Sequence, residues 1–177
     1  MPESVAVRRV GLSETPRVRS IRLEALGDPA AGIAFLETRE QAEAQPDEFW
    51  QERTAGAALS DSAAQFVAEA SRDWVGTVTV LIPDPTVTDY FGRPAVQGRA
   101  LVVAVYVRPS HRGRGTLDAL MDAAAEWARG AGETELVLDV HELNVPAQRA
   151  YARLGFVATG RTSEAPSGTE LEMVRGL

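Results

Sequence analysis

Ala100–Leu101–Val102–Val103–Ala104–Val105–Tyr106–Val107 runs without a break into Arg108–Pro109–Ser110–His111–Arg112–Gly113–Arg114–Gly115. The first half is an almost uninterrupted apolar run, the pattern of a central strand buried on both faces. The second half is a basic, glycine-rich turn. Behind it, Gly115–Arg129 sets Leu117, Leu120, Met121, Ala124 and Ala128 at helical spacing. The first turn of a helix leaves backbone N–H groups unpaired, and the helix dipole adds partial positive charge there. Glycine removes the Cβ atoms that would hold a phosphate away from those donors, and arginine adds charge-assisted hydrogen bonds. The turn is thus suited to an anion, a diphosphate best of all. A tight turn with solvated arginines is the plainer reading of the same residues. A Walker-type phosphate loop needs a lysine that is absent here, and the run lacks the three glycines of G-x-G-x-x-G.

Working outward, Val5–Val10 reads as a first strand. Thr15, as an N-cap ahead of Pro16, opens a helix to Leu26 that Gly27–Asp28–Pro29 ends. A second helix spans Asp47 to Ala55. Ala64–Ala70 and Trp74–Ile82 form a hairpin about Ser71–Arg72–Asp73, and Pro83–Gly98 is a loop passing from ordered to mobile. Downstream, Gly130 and Gly132 stop the central helix. Glu135–Val140 is a strand, Pro146–Leu154 a short helix, and Phe156–Gly160 and Thr169–Val174 are closing strands. This order predicts a mixed α/β fold around one central sheet. With no repeat, linker or low-complexity tract, residues 1–177 read as a single domain.

Apolar residues make up 45% and charged residues 24% of the chain, an ordinary balance for a soluble globular protein. Met1–Val10 lacks the apolar core of a signal peptide, and no stretch approaches the roughly 20 apolar residues that span a bilayer. Without cysteine there can be no disulfide, zinc–thiolate site or cysteine nucleophile, which fits a cytoplasmic protein. The net charge of −7 argues against nucleic acid or an anionic membrane as partner. All 18 basic residues are arginine, so the chain has no lysine of its own to acylate. On this acidic background Arg108, Arg112 and Arg114, with His111 among them, form a local positive patch that suits one small anionic ligand.

Val105–Gly115 resembles the acetyl-CoA signature of the GNAT superfamily of N-acetyltransferases, in which Arg or Gln, two residues, Gly, one residue, then Gly or Ala directly follow a central strand. Arg112 and Gly115 match the first two fixed places. Leu117 occupies the last, and its bulk puts the helix start and the width of the cradle in question. A second match lies about 30 residues on. Asn144, Ala147, Tyr151, Gly155 and Phe156 reproduce the family's Asn-x-x-Ala-x-x-x-Tyr-x-x-x-Gly-Phe pattern without a gap. The resemblance covers roughly Val5 to Val174.

The resemblance implies a mixed, mostly antiparallel sheet splayed between its fourth and fifth strands and flanked by about four helices. It implies that acetyl-CoA lies in that opening. Val105, Tyr106 and Val107 would give main-chain contacts to the pantetheine arm, one N–H polarising the acetyl carbonyl. Arg112, Gly113, Arg114, Gly115 and Thr116 would wrap the pyrophosphate. Tyr151 would protonate the departing thiolate, though its place on the Ala147–Ala150–Leu154 stripe also suits the core. Asn144 would bond the pantetheine or cap the helix, with Ala147 beside it. For the base that deprotonates the acceptor, His141 and Asp139 at the strand end lead, with Glu69 next.

The activity implied is acetyl transfer from acetyl-CoA to an amine by direct attack, without a covalent enzyme intermediate and without a metal. A non-catalytic acyl-CoA-binding or sensing module on the same fold is the alternative, and a nucleotide-phosphate binder a third reading. The acceptor would be a small-molecule or peptide amine held by Leu26–Gly56 and Pro83–Gly98. Glu37, Glu40, Glu43, Asp47, Glu48 and Glu52 make the first segment acidic, which suits a cationic acceptor or, equally, a solvated helix face. A homodimer stays open on the sequence.

Overall fold

Ala70 and Asp73 pair as the last rung of a hairpin whose two-residue loop, Ser71–Arg72, takes left-handed φ values of 47° and 75°. Those values at both loop positions define a type I′ turn, whose twist matches that of the strands it joins. This computed structural model describes residues 5–177, so the first four positions of the Met1–Val10 reading lie outside the described residues. The hairpin is part of a seven-stranded sheet of β1 (Ala6–Arg9), β2 (Ala63–Ala70), β3 (Asp73–Leu81), β4 (Arg99–Val107), β5 (Glu135–His141), β6 (Val157–Ala165) and β7 (Gly168–Gly176). The order is β1-β2-β3-β4-β5-β7-β6, antiparallel at every junction except the parallel pair β4–β5. The mixed, mostly antiparallel sheet is therefore as expected.

Among the described residues six α-helices flank it: α1 (Thr15–Leu26), α2 (Ala31–Ala34), α3 (Arg39–Glu43), α4 (Asp47–Leu59), α5 (Thr116–Gly130) and α6 (Val145–Arg153). The four longer ones were expected. The short α2 and α3 were not, because 4 and 5 residues carry too little periodicity to read. Thr15 is the first residue of α1 rather than its cap. A 3₁₀ turn at Leu12–Glu14 precedes it, and the Glu14 carboxylate accepts the Gly11 N–H at 2.7 Å. The Pro83–Gly98 loop, expected to become mobile, is tied down by Arg93, which bonds Asp89 within the loop and Asp139 on β5. No helix among the described residues is long and apolar enough to cross a membrane.

The helices divide between the two faces of the sheet. On one face Leu120, Met121, Ala124 and Ala128 of α5 pack with Val78, Val80, Ala100, Leu138 and Phe156, and α6 joins them through Ala147, Tyr151 and Leu154. Each fully buried side chain of leucine size contributes about 1.5–3 kcal/mol. On the other face Val18, Ile21 and Ala25 of α1 pack with Val67, Trp74 and Tyr106. Both layers converge on β4.

β4 and β5 pair only over Arg99–Leu101 and Glu135–Val137. Beyond those rungs they part. The cause lies in β4, where Ala104 and Val105 together stand opposite Val78 between the rungs Thr79↔Val103 and Thr77↔Tyr106. Such a bulge bends the strand that carries it. Here Ala104 takes φ 52°, a left-handed value rare for a residue with a side chain. The expectation that Ala100–Val107 is buried on both faces fails at this point. Val103, Ala104 and Val105 are only half-buried, because they border the opening.

Candidate functional site

The opening between β4 and β5 widens into a cleft of about 670 Å³, a size suited to a small-molecule ligand. One rim is the edge of β4 from Val102 to Val107. Opposite are Leu138–His141 of β5, with Asn144, Ala147, Ala150 and Tyr151 leading into and along α6. Arg112, Gly113, Gly115 and Leu117 close one end, and Ala30, Ile33 and Phe35 around α2 close another side. Since β4 has lost its partner here, main-chain groups along this edge face the cleft instead of a strand.

The end of the cleft at α5 has the features expected of an anion cradle. Gly113 and Gly115 have φ values of 69° and 83°, and a Cβ built on either would meet nothing within 4 Å, so both glycines line open space. Gly115 is the N-cap of α5, and the N–H groups of the first helical turn have no partner within the helix. Leu117 does not displace this start. α5 begins at Thr116, and the Leu117 side chain packs on the core and lines the cleft. Thr116 is itself buried.

Arg112 departs from expectation. Its Nε donates to Val107 O at 2.8 Å and its Nη2 to Asp28 Oδ2 at 2.6 Å, so the guanidinium braces the turn against the segment after α1. Arg108 forms a bidentate pair with Glu24 at 2.7 and 2.8 Å and also faces α1. The charges of Arg108 and Arg112 are thus balanced locally by Glu24 and Asp28.

Tyr151 lies on α6 with its ring edge-on to Phe156 at a centroid distance of 5.9 Å. Its hydroxyl makes no hydrogen bond among the described residues, and loss of solvent pushes its pKa well above the ordinary value. The side chain packs on the core and also lines the cleft. Asn144 is the N-cap of α6, its side chain accepting the Ala147 N–H at 3.3 Å, while the residue also lines the cleft.

The three acid–base candidates fare differently. His141 is buried, its Nδ1 accepting the Leu143 N–H at 3.1 Å while its Nε2 lies 2.9 Å from Ser167 O. That is the neutral tautomer with its proton on Nε2, and no lone pair remains for an incoming amine. Asp139 is gripped by Arg93 at 2.7 and 2.9 Å. Glu69 is outside the cleft, bonded by Arg8, Arg17 and the Trp74 indole. Glu170 of β7, overlooked in the sequence, lines the cleft beside them. The signal was its alternation with Glu172 in Thr169–Val174, two acids at inward-facing positions of one strand.

A family model described as Acetyltransferase (GNAT) family matches residues 30–156, which include most of the cleft-lining residues but not Asp28 or Glu170. The chain belongs to the GNAT family. Among relatives, it is 40% identical over 74 residues to a streptothricin acetyltransferase from Streptomyces lavendulae, covering 42% of this chain and 39% of that protein. It is 34% identical over 98 residues to N-acetyltransferase 8B from Homo sapiens, covering 55% and 40%. The chain thus matches about two fifths of the length of these GNAT relatives. In structure it resembles a GCN5-related N-acetyltransferase from Kribbella flavida (24% identity, all of both chains, TM-score 0.72). It also resembles an N-acetyltransferase from Thermoplasma acidophilum solved in complex with coenzyme A (16% identity, 98% and 99% of the chains, TM-score 0.66). At these identities the likeness concerns the GNAT fold.

Proposed function

We propose that this chain is an acetyl-CoA-dependent N-acetyltransferase whose residues 1–177 form one catalytic domain. The observation that carries the reading is the cleft itself. A bulged strand edge, a glycine-capped helix start and an unpartnered tyrosine hydroxyl all border one opening. The residues fit coenzyme A, since Gly113 and Gly115 leave room for a pyrophosphate against the first turn of α5. Coenzyme A is also present in the Thermoplasma relative.

In this reading Gly113, Arg114, Gly115 and Thr116 hold the pyrophosphate through backbone N–H groups, with Arg112 keeping the turn in place. Val105, Tyr106 and Val107 offer main-chain groups to the pantetheine arm as a neighbouring strand would, joined by Asn144 and Ala147 across the cleft. Acetyl-CoA supplies an activated acetyl group. One β4 N–H aimed at the acetyl oxygen stabilises developing negative charge, a contribution often worth a few kcal/mol. Tyr151 keeps its proton at neutral pH and gives it to the leaving sulfur. His141, with both nitrogens engaged, orients the Leu143 and Ser167 segments. The acceptor is an amine, and streptothricin is a first candidate because a relative carries that name.

Acetyl-CoA turnover against a panel of amines tests the proposal. An acetyltransferase releases free thiol only when acceptor is present. A binding or sensing module takes up coenzyme A and releases none, and a nucleotide binder prefers ATP or NAD to coenzyme A.

A further inference from the structure

β5 and β7 pair with His141 opposite Glu170 and Asp139 opposite Glu172, so these four side chains share one face of the sheet. It is the face opposite α5 and α6, since Leu138 and Val140 point into the core beneath those helices. α2 and Phe35 stand over the cleft on the Asp139–Glu170 side. Tyr151 therefore reaches the opening from one face of the sheet and Glu170 from the other.

The acids on this face are not equivalent. Asp139 is neutralised by Arg93 and accepts the Tyr90 hydroxyl at 3.2 Å. Glu172 lies 3.5 Å from Arg93 and accepts the Thr159 hydroxyl at 2.9 Å. Glu170 is only 8% exposed, and its carboxylate has no hydrogen bond or ion pair among the described residues. Its neighbours offer no countercharge. On β5 they are Asp139, already paired, and His141, held neutral. On β6 the register partner is Ser163, on its own strand the nearest acid is Glu172, and α2 has no charged residue. Of the arginines near this face, Arg93 faces Asp89, Asp139 and Glu172 and Arg99 faces Glu135 and Glu172; of the two that line the cleft, Arg112 is paired with Asp28 and Arg153 belongs to α6. A carboxylate buried without a partner is costly, and a structural role gives no reason to keep one.

We propose that Glu170 is the catalytic base of the acetyl transfer proposed above and the group that draws a cationic amine into the cleft from the α2 side. The inference rests on that activity. The docked ammonium gives one proton to the Glu170 carboxylate. The freed lone pair forms the N–C bond as the C–S bond breaks. The nitrogen then sheds a second proton, which replaces the one Tyr151 hands to the sulfur. The third stays on the amide, and Glu170 releases its proton to solvent, so the products are an amide, a thiol and one proton. Loss of solvent raises the Glu170 pKa, which makes the carboxylate a stronger acceptor than an exposed glutamate.

The test is thiol release by wild type and Glu170→Gln between pH 6 and 9, using whichever of streptothricin, spermidine and an alanine-terminated peptide the wild type acetylates best. The expected result is a loss in kcat/KM for the amine of about 100-fold near pH 7, in line with general-base catalysis. The deficit should shrink as higher pH supplies free amine, while KM for acetyl-CoA stays within about twofold. A variant within about threefold of wild type, or one with the same deficit at every pH, overturns the assignment and leaves the acetyltransferase reading standing. A wild-type chain that binds coenzyme A yet releases no thiol with any of the three amines overturns that reading and this inference with it.

Discussion

Arg112 Nη2 lies 2.6 Å from Asp28 Oδ2, tying the glycine-rich turn before α5 to the segment that follows α1. The Asp28 side chain is nearly buried, while that of Arg112 is 47% exposed. The arginine therefore both braces the turn and places part of its charge at the cleft mouth. Arg112→Ala should weaken coenzyme A binding about tenfold and cost about 1–2 kcal/mol of stability, since Asp28 is left with only the Ala30 N–H. Asp28→Asn keeps an oxygen for that N–H and removes a negative charge, so binding should hold or tighten. Calorimetric titration separates the cases, and equal losses in both variants would mean that only the bridge matters.

Ala104 holds β4 open at a cost, because its φ of 52° disfavours any side chain by about 1–2 kcal/mol. Ala104→Gly should leave stability unchanged or slightly improved. Ala104→Val brings a β-branched side chain to the same φ, and should lose about 2 kcal/mol or more and weaken coenzyme A binding as the bulge relaxes. Thermal melts with and without coenzyme A read both effects. A valine variant with wild-type binding would remove the bulge from the account.

Tyr151→Phe keeps the ring contact with Phe156 and deletes only the hydroxyl. Turnover should fall about 100-fold or more while coenzyme A affinity stays within about twofold. Unimpaired turnover would return Tyr151 to the core and nothing else.

Glu14 gives a pH signature away from the site. Hydrogen bonds from Arg8 and the Gly11 N–H lower its pKa from 4.5 to about 2. A carboxyl whose folded pKa is depressed adds stability above its unfolded pKa, and that stability is lost as pH falls from about 4.5 toward 2. Because Arg8 is 39% exposed, screening reduces the contribution to about 1–2 kcal/mol. Glu14→Gln should be destabilised by that amount at pH 7 and match wild type near pH 2. Denaturant melts across this range check it, and a constant difference would point to the cap alone.

The sheet and its four longer helices were legible because each carries a strong local pattern. α1 ends at Leu26 ahead of Gly27 as expected and starts one residue early, at Thr15 rather than Pro16. The shape of the turn before α5 was legible for the same reason, since Gly113 and Gly115 signal left-handed backbone. What escaped depends on contacts distant in sequence. Arg112 read as a phosphate ligand because Asp28, 84 positions away, is invisible to local pattern. His141 read as a base because its bonds to Ser167 and Leu143 arise only in the fold. Glu170 was hidden among surface-like acids until pairing with β5 placed it on the cleft face. Ala104 carries a conformation that its residue type does not signal.

The most direct measurement is thiol release from acetyl-CoA by the purified chain, with and without streptothricin, spermidine and an alanine-terminated peptide, alongside calorimetric titration with coenzyme A. The account predicts saturable coenzyme A binding and thiol release that depends on at least one of these amines. Failure to bind coenzyme A, or binding with no amine-dependent release, would contradict it.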